Sequence, residues 1–566
     1  VGGPGDASAD RSPRACALGA ALLLALAAGL RLWGLDAGLP NVRTRPDEIE
    51  VLRQTALPAR GEMRLEWSVY PNAYVYLTWL WGEAALRAGQ AAGGPTDAGY
   101  AETLARDPAR ILLLARALSA AAGIATVGLL VAVARRPLGD AVALGAGLLL
   151  ATSFLHARDS HFVKPEALLG LGVVLALGAM LPLAREATPA RGALAGLAVG
   201  VAAAAKYPGA ALLVPAWIAA AWGSPARGWR RLAGTPAAAV AAAAAALFLA
   251  TSPQLLVDPA TRAAVLRIPG IVFPQLFPEL LAGATELANP AFEGPGPSPY
   301  AGPGALGTAI YHARFSLWYG AGRAATLLAP LAVAWGLASR SPLPTLAALV
   351  CAVWFAMISL SPVQLARYAT PILAPLFLLE AGLLAGAARR FAPRAPRAAF
   401  AAAIALVAAE PLASALAHDR ILARPDTRVL ASEWMRRNLP VGAGIAVHGT
   451  RFWPWGEPEL PPRARRVRAE LDIASLVAAG ASHLVVHEHP LFWSSPDAGA
   501  LAALAPHLRL VAELVPFAAD ADPVFETADA YYAPFAGFRG VERAGPAVRI
   551  YELGSEAHRR PEAGRL

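Results

Sequence analysis

The sequence predicts an α-helical polytopic membrane protein of about 11 transmembrane helices, with interfacial helices in the first external loop and a small C-terminal extracytoplasmic α/β domain. Three observations predict it. Of 566 residues, 56% are hydrophobic and only 16% charged. Apolar runs of roughly 14 to 24 residues recur between Arg-rich joints, the pattern of repeated spanning helices. Beyond about residue 418 the long runs give way to short strand-like and helix-like segments.

The spans fall at about 15–35, 111–134, 137–155, 167–184, 192–205, 207–223, 233–251, 317–338, 343–360, 368–388 and 398–416. One segment decides the count. Val69 to Gly89 is long enough to cross but rich in Tyr and Trp, which favour membrane interfaces. If it crossed, Arg135, Arg136, Arg227, Arg230, Arg231, Arg389, Arg390, Arg394 and Arg397 would all face outward, against the positive-inside rule. Val69 to Gly89 is therefore expected to lie along the interface, with the N-terminus cytoplasmic and the C-terminus external. The first span follows Arg11 and Arg14 as a signal peptide would, but it runs into Arg31-Leu32-Trp33 without a small-x-small cleavage site. A retained anchor is expected.

Two large external loops follow from this map, Asp36 to Arg110 and Ser252 to Ser316. The second is rich in Pro and Gly between Asn289 and Tyr300, a composition that disfavours regular structure and suits a loop covering a site. Residues 1–417 form the expected transmembrane domain and 418–566 the extracytoplasmic one. In the latter, Asp426 to Asn438 reads as a helix, and Gly444 to His448, His483 to Glu488 and Ala547 to Glu552 as strands. No internal repeat is visible, so the inverted-repeat signature of many transporters is missing.

The formal charge of +9 does not indicate a nucleic-acid partner, because the basic residues sit in short joints and form no stripe interleaved with aromatics. Cys16 and Cys351, the two cysteines, both lie inside spans, so no disulfide framework is implied.

Ionisable groups that the topology rule does not explain gather at the outer level. After the first span comes Arg45-Pro46-Asp47-Glu48-Ile49-Glu50. The short outer turns hold Arg158-Asp159-Ser160-His161 with Lys164 and Glu166, then Lys206-Tyr207, then Arg367-Tyr368, and Arg314 and Arg323 flank the start of the eighth span. Ionisable residues at membrane depth are costly and are usually kept for a site. Cations here suit the phosphate of a lipid whose tail lies in the bilayer, since Arg and Lys give charge-assisted hydrogen bonds to phosphoryl oxygens. A neighbouring carboxylate suits a general base that takes the proton of an attacking hydroxyl. The combination points to glycosyl transfer from a lipid-phosphate donor. Each residue also has a plainer explanation: acids in a first helical turn favour the macrodipole, and Arg or Lys near a rim snorkels to headgroups. His487 and His489, two apart at a strand end, could both face one metal but without further ligands read as ordinary surface residues, and Glu380 and Glu410 within spans receive no role.

At these residues the chain resembles the C-type membrane glycosyltransferases, specifically bacterial relatives of the protein O-mannosyltransferases and of the lipid A aminoarabinose transferase. Asp47-Glu48 is similar to the family's Asp-Glu motif, and the resemblance implies that Asp47 is the catalytic base, with Glu48 beside it. Tyr70-Pro71-Asn72-Ala73-Tyr74-Val75-Tyr76, the turn His156 to Glu166, Lys206-Tyr207 and Arg367-Tyr368-Ala369-Thr370-Pro371 are similar to its other landmarks. Where the family tends to carry a second Asp this chain has Glu166, with Asp159 seven residues earlier, so either supplies the second carboxylate. Arg158, His161, Lys164, Lys206, Tyr207, Arg314, Arg323, Arg367 and Tyr368 are the candidates for binding the donor lipid phosphate.

The resemblance implies an inverting glycosyltransferase of the bacterial inner membrane, using a polyprenyl-phosphate-linked sugar on the external face. The acceptor is a protein, a glycolipid or a polysaccharide. Membrane lipid is an expected partner and nucleic acid is not. No cofactor is required by the residues, and a divalent metal is left open. The rival from another class is a transporter or flippase of lipid-linked sugars, which needs the cations but no base.

Overall fold

The apolar runs become helices in a computed structural model that describes residues 13–66, 70–93, 99–263, 265, 304–361, 364–449, 454–491, 494–526 and 531–554. The chain divides into two compact units, one of Val1–Leu32 and Glu50–Leu416, the other of Trp33–Ile49 and Ala417–Leu566.

In the first unit, helices Pro13–Leu32, Pro108–Leu138, Asp140–Thr152, Glu166–Arg185, Pro189–Ala205, Leu213–Gly223, Thr235–Thr251, Arg323–Ala338, Pro342–Leu360 and Thr370–Phe391 occupy in order the places of the first ten expected spans, and Pro396–Leu422 that of the last. Among the described residues, six helical stretches are long and apolar enough to cross a membrane, with mean hydropathies from 1.8 to 2.3. Asn72–Ala91, within the stretch read as interfacial, forms a 20-residue helix that is not one of the six. Its Trp81 Nε1 donates to the Leu114 carbonyl at 2.9 Å, which ties it to the following long helix. The expected span at 317 starts later, at Arg323, because Gly322 takes a φ of +98° that interrupts the helix. The Pro/Gly-rich stretch from Asn289 to Tyr300 lies outside the described residues.

Small residues set how closely these helices approach. Gly192, Gly196 and Gly200 recur every fourth position on one face of Pro189–Ala205, and a Cβ at Gly192 or Gly196 would collide with the Pro236 or Val240 carbonyl of Thr235–Thr251. That is the small-xxx-small packing of membrane helices, in which backbones meet directly.

The second unit carries a mixed five-stranded sheet: β1 Gly444–His448, β2 Arg465–Arg466, β3 His483–Glu488, β4 Leu508–Leu514 and β5 Ala547–Leu553, in the order β2-β1-β3-β5-β4. β1 pairs parallel with β2 and β3, and β5 pairs antiparallel with β3 and β4. Alternating side chains feed two cores, as a strand period of two requires. Ile445, Val485 and Ile550 pack under helix Thr427–Asn438 through Ala431 and Met435. Ala446, Leu484 and Val486 pack on the other face with Leu476 and Leu504. The expected helix and three strands are all present; β2 and β4 are additional.

Trp33–Ile49 joins this second unit rather than the helices that flank it in sequence. Gly34, at φ +81°, turns the chain where a side chain would meet Leu422 and Ala423. Asn41 Oδ1 then accepts from the Arg43 amide at 2.9 Å, opening a short 3-10 turn, Val42–Thr44.

Candidate functional site

Glu166 is the first residue of its helix, where the macrodipole favours a carboxylate. Lys206 follows the last residue of Pro189–Ala205, and Arg367 lies in the 3-10 turn Ala366–Ala369 that leads into Thr370–Phe391. Packing brings these three helix ends together. Gly172 of the Glu166 helix sits against Ala202, where an added Cβ would be 2.8 Å from the Ala202 Cα. The turn bearing Arg367 is fixed by Trp354, whose Nε1 donates to the Tyr368 carbonyl at 2.9 Å.

The result is a buried charge cluster. Lys206 Nζ donates to Glu166 Oε1 at 2.6 Å, and Arg367 Nε stands 3.4 Å from the same oxygen. The Lys206 ammonium also lies 4.8 Å from the centroid of the Tyr368 ring and 6.0 Å from that of Tyr70. Next to it in sequence, the short helix Phe154–Asp159 holds Arg158 and Asp159 in an ion pair at 3.0 Å, and Thr370 Oγ1 donates to the other Asp159 oxygen at 2.5 Å. Burial pushes the Asp159 carboxyl above its ordinary value; Arg158 opposes the shift and Glu166 adds to it. Lys164, only 1% exposed, acts electrostatically on both Asp159 and Glu166.

The turn itself rests on a residue the sequence reading did not assign. Arg31, fully buried, donates to the Leu150 and Ala151 carbonyls at 3.3 and 3.1 Å, at the C-terminal end of Asp140–Thr152, and its Nη2 lies 2.7 Å from His156 Nδ1. A cation at a helix C-terminus complements the exposed carbonyls. Thr370 also went unassigned, although it lies in the quoted motif Arg367 to Pro371. Arg116, fully buried with its guanidinium 5.9 Å over the Phe162 ring, was hidden inside an apolar run.

Of the predicted site residues, Arg158, Asp159, Lys164, Glu166, Lys206, Arg367 and Tyr368 therefore belong to one neighbourhood. His161 is buried beside it, its Nδ1 2.9 Å from the Ala157 carbonyl. Tyr207 packs edge-on against Phe248 at 6.0 Å. Arg314 is exposed in the π-helical turn His312–Leu317. Arg323 is engaged elsewhere: it pairs with Glu410 at 3.1 Å, and the same carboxylate accepts from the Arg323 backbone amide at 3.0 Å. Glu410, left without a role, thus closes the open end of helix Arg323–Ala338. Asp47 and Glu48 stand in the first turn of helix Pro46–Ala59, within the second unit; Glu48 is fully buried and Asp47 half-buried.

One expectation is corrected. His487 and His489 are not surface residues: they are 0% and 5% exposed. β3 is a central strand, and His487 is closed in by Gly449 and Gly456, at either of which a Cβ would collide with its ring. His487 Nδ1 lies 2.8 Å from Ser494 Oγ, and His489 Nδ1 accepts from the Leu491 amide at 3.1 Å. Among the described residues no three His, Cys, Asp or Glu side chains gather where they would hold a metal ion.

A bundle of apolar helices with ionised groups gathered at helix ends, joined to a small α/β unit, defines a class of integral membrane protein rather than one activity. Residues 112–257 match the family described as dolichyl-phosphate-mannose-protein mannosyltransferase. The fold is similar to that of ArnT from Cupriavidus metallidurans, solved with undecaprenyl phosphate, at a TM-score of 0.51 and 15% identity over 96% of this chain and 99% of that one. Archaeal oligosaccharyltransferase AglB from Archaeoglobus fulgidus, solved with an inhibitory peptide and a dolichol-phosphate, aligns at a TM-score of 0.47 and 13% identity over 84% of this chain and 69% of that one. No curated protein matches the chain. The likeness to the mannosyltransferase family is thus carried by residues 112–257, and the fold is similar to that of ArnT.

Proposed function

We propose that the protein moves a sugar from a polyprenyl-phosphate donor to an acceptor hydroxyl on the external face of a bacterial inner membrane. The observation that carries this is the charge balance of the buried cluster. Arg158, Lys164, Lys206 and Arg367 supply four positive charges against the two carboxylates Asp159 and Glu166, so the cluster is cationic by two. A sugar linked to a lipid phosphate is a phosphodiester with one negative charge, and the lipid phosphate that departs carries up to two. A cationic site in a water-poor setting therefore favours the departing group over the bound donor, which is the differential stabilisation that speeds bond breaking.

Asp47 serves as the general base. It takes the proton of the acceptor hydroxyl as that oxygen bonds to the anomeric carbon from the face opposite the phosphate, while the bond from that carbon to the phosphate oxygen breaks. The lipid phosphate leaves with the bonding pair, and the anomeric configuration inverts. Glu48 orients Asp47. Asp159 and Glu166 act as counter-ions that hold the cations in place, Glu166 binding both Lys206 and Arg367. The aromatic rings of Tyr368 and Tyr70 wall the ammonium. His161, Tyr207, Arg314 and Arg323 are assigned secondary contacts with the lipid donor.

The test is incubation of the purified full-length chain in lipid nanodiscs with radiolabelled polyprenyl-phosphate sugars and membrane extract, followed by separation of protein, lipid and polysaccharide. Label appearing in an acceptor that requires the protein supports the reading. Donor bound or moved across vesicles with no labelled acceptor supports the flippase instead.

A further inference from the structure

The segment that carries Asp47 is held by a buried arginine from the other end of the chain. Arg428, 0% exposed, is clasped by the Asp426 carboxylate through Nε at 2.8 Å and Nη2 at 2.6 Å. This fork leaves Nη1, which donates to the Thr44 carbonyl at 3.3 Å and to the Trp455 carbonyl at 2.6 Å. The guanidinium also lies 4.7 Å over the ring of Tyr532, whose hydroxyl meets Ser494 Oγ at 2.8 Å; Ser494 in turn meets His487. Asp426 is itself fixed, since its Oδ1 accepts from the Arg428 amide at 2.9 Å as the N-cap of Thr427–Asn438.

A second anchor grips the next residue. Arg45, 2% exposed, places its guanidinium 4.3 Å over the ring of Tyr531. Thr44 and Arg45 are thus both tied to the C-terminal sequence, and the helix that begins at Pro46 carries Asp47 and Glu48 in its first turn. Bidentate guanidinium pairs fix direction as well as distance. An Arg428 serving only to stabilise its own domain would be satisfied by Asp426 and Trp455; the Thr44 contact spends donor capacity on this segment.

We infer that Arg428 and Tyr531 are positioning residues that fix the Asp47–Glu48 segment on the C-terminal unit, so that this unit sets the placement of the general base. The inference rests on the proposed role of Asp47 for its catalytic consequence, and on geometry alone for the anchoring.

Two readouts in the full-length protein separate these parts. Arg428→Lys keeps the charge but loses the fork, and Tyr531→Leu removes the stacking surface without touching Arg428. In each, hydrogen exchange over residues 44–50 should speed up relative to the rest of the chain. Turnover at saturating substrates should fall about 10- to 100-fold with the donor KM unchanged, the effect of a misplaced reacting group. In an Asp47→Asn background neither change should lower turnover further, because residues acting through one group are not additive. Unchanged exchange over 44–50 in either folded variant overturns the anchoring. Faster exchange with full turnover, while Asp47→Asn alone is inactive, overturns the positioning role. Faster exchange in a protein whose Asp47→Asn form is fully active leaves the anchor standing and removes Asp47 as the base.

Discussion

Lys206 and Glu166 meet across the ends of two helices, with the ammonium 2.6 Å from Oε1 and the carboxylate 1% exposed. A buried pair of this kind has two separable roles. Stranding a buried charge costs about 3 to 5 kcal/mol, and losing Lys206 costs part of that because Arg367 still stands 3.4 Å from Glu166. Lys206→Gln should therefore lower the thermal midpoint and also weaken donor use about 10- to 100-fold, the worth of a lost charged hydrogen bond. The double variant Glu166→Gln with Lys206→Gln should regain part of that stability, with Arg367 losing its Glu166 contact, but not donor affinity. If donor KM recovers together with the thermal midpoint, Lys206 is structural.

Asp47→Asn preserves shape and the backbone contacts of the first helical turn but removes proton acceptance. Turnover should fall about 100- to 10,000-fold, the usual span for loss of general base catalysis. Glu48→Gln should be milder, as expected of an orienting group. Single-turnover rates with labelled donor measure both, and an Asp47→Asn rate within threefold of the parent, on the order of 0.6 kcal/mol, ends the base assignment.

Thr370 holds Asp159. Its hydroxyl donates to one Asp159 oxygen while Arg158 binds the other. Thr370→Val matches the shape and removes the donor, so a buried carboxylate loses a hydrogen bond worth about 1.5 to 3 kcal/mol. Thr370→Ser should restore most of it. Chemical denaturation in detergent measures the difference; equal stability of the Val and Ser variants would show that Asp159 does not depend on this contact.

What the sequence made legible and what it hid differ for physical reasons. The helices were readable because apolar runs between Arg joints carry their own signal, and the charged turns were readable because ions at membrane depth are rare. The joining of Glu166, Lys206 and Arg367 was only half visible: residue types suggested one site, but the pairing depends on Gly172 packing against Ala202. β1, β3 and β5 were readable as apolar runs, whereas β2 has two residues and β4 has a register shift between Leu510 and Ala512 that breaks the period of two. The anchoring of Trp33–Ile49 was invisible, since it passes through the Thr44 carbonyl, a group every residue possesses. His487 looked like surface because its burial is imposed by Gly449 and Gly456 from distant segments.

Topology rests on charge bias and is open to direct measurement. Alkaline phosphatase fused after Arg136 or Arg231 should be inactive, as in the cytoplasm, and active when fused after His418. Activity at position 136 would mean that the stretch beginning near Val69 crosses the membrane. Every later turn would then invert, placing the charge cluster on the cytoplasmic side.

The buried histidines give the C-terminal unit a defined pH dependence. Burial, reinforced by the Arg428 guanidinium, pushes both His487 and His489 from the ordinary 6.5 down to about 3. Between those values the unfolded chain binds protons that the folded unit refuses, so stability rises with pH across the window. The contribution is full above about pH 6.5 and is lost progressively as pH falls toward 3. Hydrogen exchange within β3 and β5 should accordingly be slower at pH 7.5 than at pH 5, after correction for the intrinsic exchange rate. His489 packs edge-on against Phe525 and Tyr532 at 4.4 and 4.9 Å, so His489→Phe keeps the ring contacts and removes one titrating group. That variant should show a shallower loss of protection between pH 7.5 and 5. A slope equal to that of the parent would mean that His489 does not contribute to the transition, leaving His487 as the group that responds.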